Sequence, residues 1–364
     1  MQVIDRYWDF QKDISGCGIF GVIHKKRGLI SSSIPINAMC SMHDRGNGLG
    51  SGFAAYGIYP DYAKLYAFHL MCDDRDSLDR AEEIIKCFFD IHDSHPIPTR
   101  KTLTVKNPPI VWRFFLSLKA KRPQWKSSDE ADYVINVVMN INKKIIGAFV
   151  FSSGKNMGAF KGVGFSEDIA EFYRLDEYSA FMWTGHNRFP TNTPGWWGGA
   201  HPFTLLDWAI VHNGEISSYG INMRYLCQHD YTCTLMTDTE VVTYLLDLLI
   251  RKHGLSKRMI SWVFSPPFWD EIDRMPTEQK EAFKALRMVY GSALLNGPFS
   301  ILITDSTGMM GLNDRIKLRP LVVAEKDDMV FMSSEESSIR IVQQDLDQVW
   351  APKAGEPVIV EYDN

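Results

Sequence analysis

Strands at both ends of the chain with helices between them predict an α+β fold, in which stacked sheets are covered by helices. Three observations carry that expectation. Cys17 to His24 reads Cys-Gly-Ile-Phe-Gly-Val-Ile-His, mostly apolar and β-prone, as a buried strand should be. The tail alternates short strands and turns at Phe299 to Thr304, Leu321 to Ala324, Val330 to Ser333 and Val358 to Tyr362. Between these ends, Ser77 to His92 sets Leu78, Ala81, Ile84, Ile85 and Phe88 on one helical face.

The remaining elements follow in order. Residues 1–16 read as a short leader ending in Ser15-Gly16, a flexible pair suited to cleavage. Ser33 is placed to cap a helix in which Ile34, Ala38, Met39 and Met42 share a face, with Pro35 tolerated in the first turn. Asp44 to Gly52 is a glycine-rich tight turn, and a strand follows near Phe53 to Tyr59. From about Pro60 to about Glu177 the pattern is that of an insertion or subdomain. It holds the amphipathic helix, a basic-aromatic stretch (Trp112, Arg113, Lys119, Lys121, Arg122, Trp125) and a helix near Ala131 to Asn142. The basic stretch reads as a solvated face ahead of a partner-docking surface. A hairpin of Ile145 to Ser152 and Gly158 to Gly164, joined by Gly154-Lys-Asn, completes it. Ala180 to Phe189 and Trp208 to His212 read as central strands, separated by a loop rich in Gly, Pro and Trp. One helix opens at Thr237; a more polar one fills Thr277 to Tyr290 and ends at Gly291.

Size and composition set the bounds. The 364 residues allow one large domain or about two ordinary ones, at roughly 150 residues each. A hydrophobic fraction of 45% supplies a substantial core, and a formal charge of −5 argues against a general nucleic-acid binder. The first ten residues carry charges where a secretory signal needs an apolar stretch, and no run of about 18 apolar residues occurs. The expected location is the cytoplasm. Cys17, Cys40, Cys72, Cys87, Cys227 and Cys233 form no C-x-x-C pair, so no metal or iron–sulfur site is expected on this chain.

Four places hold residues suited to chemistry, each with a bland alternative. Cys17 needs a base or a depressed pKa to attack a carbonyl, and a leader removed before it would free its own α-amine for that work. That amine, with a pKa of about 7.7–8.0, lies close to a thiol's value of about 8.5. The alternative is core packing. Arg188, at a strand end before the long loop, suits a bidentate clamp on a carboxylate, or else is a surface Arg. Asn213-Gly214 is a turn, or an oxyanion hole made from a side-chain amide and a backbone N–H. Thr237 to Glu240 fits the capping box S/T-x-x-E, which leaves Asp238 in the first turn to pair with an ammonium group or only with the helix dipole.

Their order is more specific than any of them alone. Cys-Gly-Ile-Phe-Gly from Cys17, Arg45-Gly46, Arg188-Phe189, His212-Asn213-Gly214 and Thr237-Asp-Thr-Glu240 resemble the class II glutamine amidotransferases. Within them the chain is most similar to the stand-alone amidotransferase subunit of archaeal-type glutamate synthase. Arg188 to Phe203, Asp207 to Tyr225, the segment from Asn313 to Leu321 and Ser333 to Ser337 carry the likeness, and Pro60 to Glu177 is least typical. The resemblance implies an N-terminal-nucleophile hydrolase, a four-layer α/β/β/α sandwich around two antiparallel sheets, spanning residues 17–364. Cys17 would be the nucleophile, exposed by loss of residues 1–16. Arg188 would bind the glutamine carboxylate, Asp238 its amino group, and Asn213 and Gly214 the oxyanion. The loop would bring Trp196, Trp197 and His201 near the substrate. Asn187 departs from the smaller residue expected beside the binding Arg.

The partner implied is a separate synthase chain that takes the ammonia, with FMN and iron–sulfur clusters expected there and no cofactor here. Another acceptor enzyme, such as an N-methylglutamate synthase, is an alternative partner. An unprocessed, non-catalytic glutamine-sensing subunit is a further reading.

Overall fold

The computed structural model describes residues 16–121, 123, 129–189 and 195–363. The leader expected at 1–16 therefore lies outside them except for Gly16, as do Arg122 and Trp125 of the basic-aromatic stretch.

Side-chain alternation along two strands sorts the core into layers. In strand Gly18–His24, Phe20 and Val22 join Ala38, Met39, Ile169 and Ile339, while Ile19 and Ile23 face Val211, Leu302 and Met309. In strand Trp208–Gly214, Ala209 and Val211 enter that same second cluster, and Trp208 and Ile210 turn towards Val241, Val242 and Leu245. Two sheets thus pack face to face. Helices Ser33–Cys40, Ser166–Phe172 and Glu336–Val342 cover one; Tyr219–Cys227, Asp238–Leu246 and Lys257–Phe264 cover the other. The result is the α/β/β/α sandwich.

The first sheet has seven antiparallel strands in the order Gln348–Trp350, Val322–Lys326, Met329–Ser333, Gly18–His24, Met182–Asn187, Ser51–Tyr56, Met157–Gly162. The second has five: Phe203–Leu205, Trp208–Gly214, Phe299–Asp305, Gly308–Asn313, Val358–Glu361. Gly21 marks their closest approach, since a Cβ there would lie 2.7 Å from Met309 Sδ and 2.9 Å from Leu302 Cδ1. Register positions the chemistry. Gly18 pairs with Asn187, so Cys17, just before one strand, meets Arg188, just after its neighbour.

The segment expected as a helical and hairpin insertion builds a third sheet. Its four antiparallel strands run in the order Phe89–Pro96, Ile110–Leu118, Tyr66–Cys72, Ala148–Ser152. Helices Arg75–Phe88 and Glu130–Lys144 share a core with it through Leu78, Ala81, Ile85, Val134, Val137 and Ile141. Three features differ from the expectation. The hairpin does not form: Ala148–Ser152 pairs with Tyr66–Cys72, whereas Met157–Gly162 pairs with Ser51–Tyr56, so the Gly154 turn passes the chain from the third sheet to the first. The helix expected to His92 ends at Phe88, because Phe89 and Ile91 alternate with the exposed Asp90 and His92 in a period of two. Arg113 is not on a solvated face either. It is buried, donating to Tyr59 Oη at 2.9 Å and to His95 Nε2 at 2.6 Å.

Smaller differences concern helix starts. Ser32, not Ser33, occupies the first cap, without a side-chain bond. Thr237 does cap Asp238–Leu246, its hydroxyl accepting from Glu240 N at 3.2 Å. Glu240 does not complete the box, since its carboxylate accepts instead from the amides of Thr234 and Leu235, both at 2.8 Å.

Candidate active site

Cys17 stands where the first sheet's central strands begin. Its Sγ accepts a bond from the Phe189 amide at 3.4 Å, from a residue 172 positions away. Burial pushes the thiol pKa up; the Phe189 amide and the guanidinium groups of Arg188 and Arg319 pull it down, and Asp238 adds to the rise. Three of the residues singled out in sequence, Cys17, Arg188 and Asp238, are therefore electrostatic neighbours.

Arg188 is 6% exposed, and burial lowers its pKa while Cys17 and Asp238 oppose that fall. Its backbone is clasped by the glycine-rich turn: Arg188 N donates to Gly50 O at 2.9 Å, and Asn47 N donates to Arg188 O at 3.3 Å. Asn187 explains its own presence. Its amide nitrogen donates to the carbonyls of Met39 and Met42, and its oxygen accepts from Ser166 N at 3.2 Å. It ties two outer helices to the strand that leads into Arg188.

Asn213 and Gly214 end a central strand of the second sheet. Asn213 Nδ2 donates to Ser334 Oγ at 3.2 Å, and the same oxygen accepts from Ile19 N at 3.2 Å. The amide thus reaches the strand of Cys17 two residues beyond the sulfur. Gly214 has φ +146°, and a Cβ would lie 2.0 Å from Pro298 O, so only glycine fits. Two residues on, Ile216 N donates to Asp238 Oδ2 at 3.0 Å, which fastens the turn after Gly214 to that carboxylate. Burial opposes ionisation of Asp238, yet His212, the Ile216 amide and the Thr239 hydroxyl together hold its pKa below the usual range.

The loop residues are placed beside this constellation. Trp196 lies over Gly198 and Gly199 and edges onto Phe149 at 6.4 Å; Trp197 packs on Gly162 and meets Phe172 edge-on at 5.5 Å. His201 is buried, stacked on His186 at 3.9 Å, with Nε2 3.0 Å from Thr239 Oγ1, the hydroxyl next to Asp238. Trp197 thus packs on the helix that ends in Phe172, and His201 reaches the hydroxyl beside Asp238. Both Trp rings also wall a groove of about 820 Å³, shared by Ile145 and Ile146 after helix Glu130–Lys144 and by Phe149 of the third sheet.

Sequence reasoning gave no role to four residues around Cys17. Arg45 Nε donates to Cys17 O at 3.2 Å and its Nη1 to Glu335 Oε1 at 2.7 Å. A Cβ on Gly16 would come within 3.3 Å of Arg319 and 3.5 Å of Arg45, so two guanidinium groups flank the Gly16–Cys17 peptide. Ser334 joins Asn213 to Ile19. Arg45, Arg319, Ser334 and Glu335 lie in segments already notable for likeness, but nothing in their spacing revealed a task. Among the described residues no His, Cys, Asp and Glu cluster is suited to a metal ion, and no helix is long and apolar enough to cross a membrane.

Comparison with known proteins gives this geometry a context. The family described as "Glutamine amidotransferases class-II" matches residues 101–364, a stretch that begins after Cys17. An "Uncharacterized protein" of Archaeoglobus fulgidus is 54% identical over 351 residues, 96% of this chain and 93% of its own length. The "Putative glutamine amidotransferase" of Methanothermobacter thermautotrophicus is 25% identical over 350 residues, 95% of this chain and 99% of its own. The NADPH glutamate synthase large chain of Bacillus subtilis is 26% identical over 211 residues, 51% of this chain and 13% of that one. A solved structure of the allosteric regulatory enzyme of purine biosynthesis aligns with a TM-score of 0.49 and 16% identity, over 95% of this chain and 47% of that one. The chain thus spans about half the length of that solved relative. With the family match running through Arg188, Asn213, Gly214 and Asp238 and over well more than half its length, the chain belongs to the class II glutamine amidotransferases.

Proposed function

We propose that the protein hydrolyses glutamine through Cys17 and delivers the ammonia to a separate glutamate synthase chain. The observation that carries this reading is the convergence of three distant parts of the chain: Phe189, next to Arg188, donates its amide to Cys17 Sγ at 3.4 Å, and the Arg188 guanidinium and Asp238 carboxylate lie within electrostatic reach of that sulfur. Cation and anion beside one sulfur suit the carboxylate and ammonium of a free amino acid. Each such charge-assisted contact contributes about 1.5–3 kcal/mol.

In this reading residues 1–16 are first removed, because the Cys17 nitrogen is an amide while Gly16 is attached and accepts no proton. The freed α-amine takes the thiol proton, and Sγ attacks the side-chain amide carbon of glutamine. The Asn213 amide, released from Ser334, and the Gly214 N–H stabilise the oxyanion. The intermediate collapses, the ammonium returns its proton to the leaving nitrogen, and ammonia departs. Water then attacks the γ-glutamyl thioester, the sulfur leaves as thiolate, and glutamate is released. Reduction of the ammonia acceptor, with its flavin and iron–sulfur centres, would belong to the partner.

Steady-state glutamine hydrolysis by the matured protein tests the clamp. Asp238→Asn should raise KM for glutamine about tenfold to a hundredfold, the equivalent of about 1.5–3 kcal/mol, with a smaller effect on kcat. An unchanged KM would remove Asp238 from the binding site. Co-purification of a synthase chain tests the delivery step; an acceptor of another class on the same glutaminase would redirect it.

A further inference from the structure

Lys161 has no part in the reaction above, yet its surroundings tie it to the binding site. It lies on the edge strand Met157–Gly162 and is 1% exposed, a rare state for a lysine. Its Nζ donates to the Gly198 carbonyl at 3.0 Å and sits 4.5 Å from the centre of the Phe203 ring. A cavity of about 10 Å³, room for about one water, separates it from Glu240.

Gly198 is the middle residue of the turn Trp197–Gly199. The residue after it backs the substrate clamp, since a Cβ on Gly199 would lie 3.2 Å from Arg188 Nη1. A continuous line of contact therefore runs from the ammonium to the Gly198 carbonyl, to Gly199, to the guanidinium. The Trp196 ring closes over the same two glycines, and Trp197 is seated on Gly162, next to Lys161 itself.

We infer that Lys161 is a positioning residue for glutamine: its buried ammonium holds the Trp197–Gly199 turn against Arg188 and so sets the affinity for the substrate carboxylate. This rests on the assignment of Arg188 to that carboxylate. Glu240 and Tyr244 face Lys161 from helix Asp238–Leu246, while Arg188 and His201 face it from the segments flanking the loop. Burial draws its pKa down to about 7, Glu240 opposing that fall and Arg188 adding to it. The latch therefore weakens as pH rises through about 7, when the ammonium becomes a neutral amine and a poorer donor.

The test compares glutamine kinetics and melting temperature of the full matured protein with those of Lys161→Met and Lys161→Gln. Lys161→Met should raise KM about tenfold or more, leave kcat within about threefold and keep or raise Tm, because a buried charge is replaced by an apolar chain. Lys161→Gln retains an N–H donor and should recover part of the affinity. The wild-type KM should climb as pH passes about 7, and that climb should vanish in Lys161→Met. An active wild type whose Lys161→Met variant binds glutamine equally well overturns the inference alone, as does a variant that loses kcat and Tm together without a change in KM. A wild type that hydrolyses no glutamine sinks the glutaminase reading instead. The inference is then decided by whether Lys161→Met shrinks the glutamine-induced rise in Tm.

Discussion

Burial works against Cys17 as a nucleophile, and three neighbours work the other way. The Phe189 amide and the Arg188 and Arg319 cations all favour the thiolate, while Asp238 disfavours it. Arg319 is the informative one to remove, because no substrate contact is assigned to it. Losing a cation raises the thiol pKa, so Arg319→Met should move the rate of Cys17 alkylation by iodoacetamide to higher pH; an unmoved profile would take Arg319 out of the site. At this scale, Cys17, Arg188, Asn213 and Asp238 were conspicuous in the sequence because each residue type has few chemical uses and their order along the chain is distinctive. Arg45 and Arg319 were not. Their task arises only where loops from opposite ends of the chain close on the Gly16–Cys17 peptide.

Helix Asp238–Leu246 shows how an element delivers a charge. Thr237 caps it, which fixes Asp238 in the first turn, and the Ile216 amide ties the carboxylate to the strand that ends in Gly214. Thr237→Ala should cost about 1 kcal/mol of stability, read from chemical denaturation, and should also weaken glutamine binding. Gly214→Ala should cost more, since its Cβ would meet Pro298 O at 2.0 Å in a left-handed backbone. A melting temperature equal to wild type would show that the strand end adapts. Thr237-x-x-Glu240 marked this helix start in the sequence, but the second half of the box was misleading. Glu240 finds the amides of Thr234 and Leu235, donors that a local pattern does not reveal. The failed Ile145 to Gly164 hairpin has the same origin: two adjacent β-prone segments with a glycine turn look alike whether they pair together or with strands of separate sheets.

Across the whole molecule, strands at both ends with helices between predicted stacked sheets, and the resemblance implied the four-layer sandwich, whereas the third sheet was not foreseen. Strand Phe89–Pro96 contains Asp90, His92, Asp93, Ser94 and His95, a composition that hides a strand until its partner Ile110–Leu118 supplies the pairing. The buried ammonium of Lys161 makes stability depend on pH in a way that can be worked out. Its folded pKa of about 7 lies below the ordinary 10.5, so the unfolded chain binds more protons between these values and stability rises with pH across that window. Lys161→Met should therefore raise Tm most below about pH 7, with the gain fading towards pH 10.5. A gain independent of pH in calorimetry would contradict a buried charge. The central claim, however, is that Cys17 becomes a chain terminus and attacks glutamine. Intact-mass spectrometry of the active protein, before and after treatment with the electrophilic glutamine analogue 6-diazo-5-oxonorleucine, tests it most directly. The account predicts a chain beginning at Cys17 that gains one covalent adduct on that sulfur and loses all glutaminase activity. A chain that still begins at Met1 while hydrolysing glutamine, or an inactivating adduct on any other residue, would contradict it.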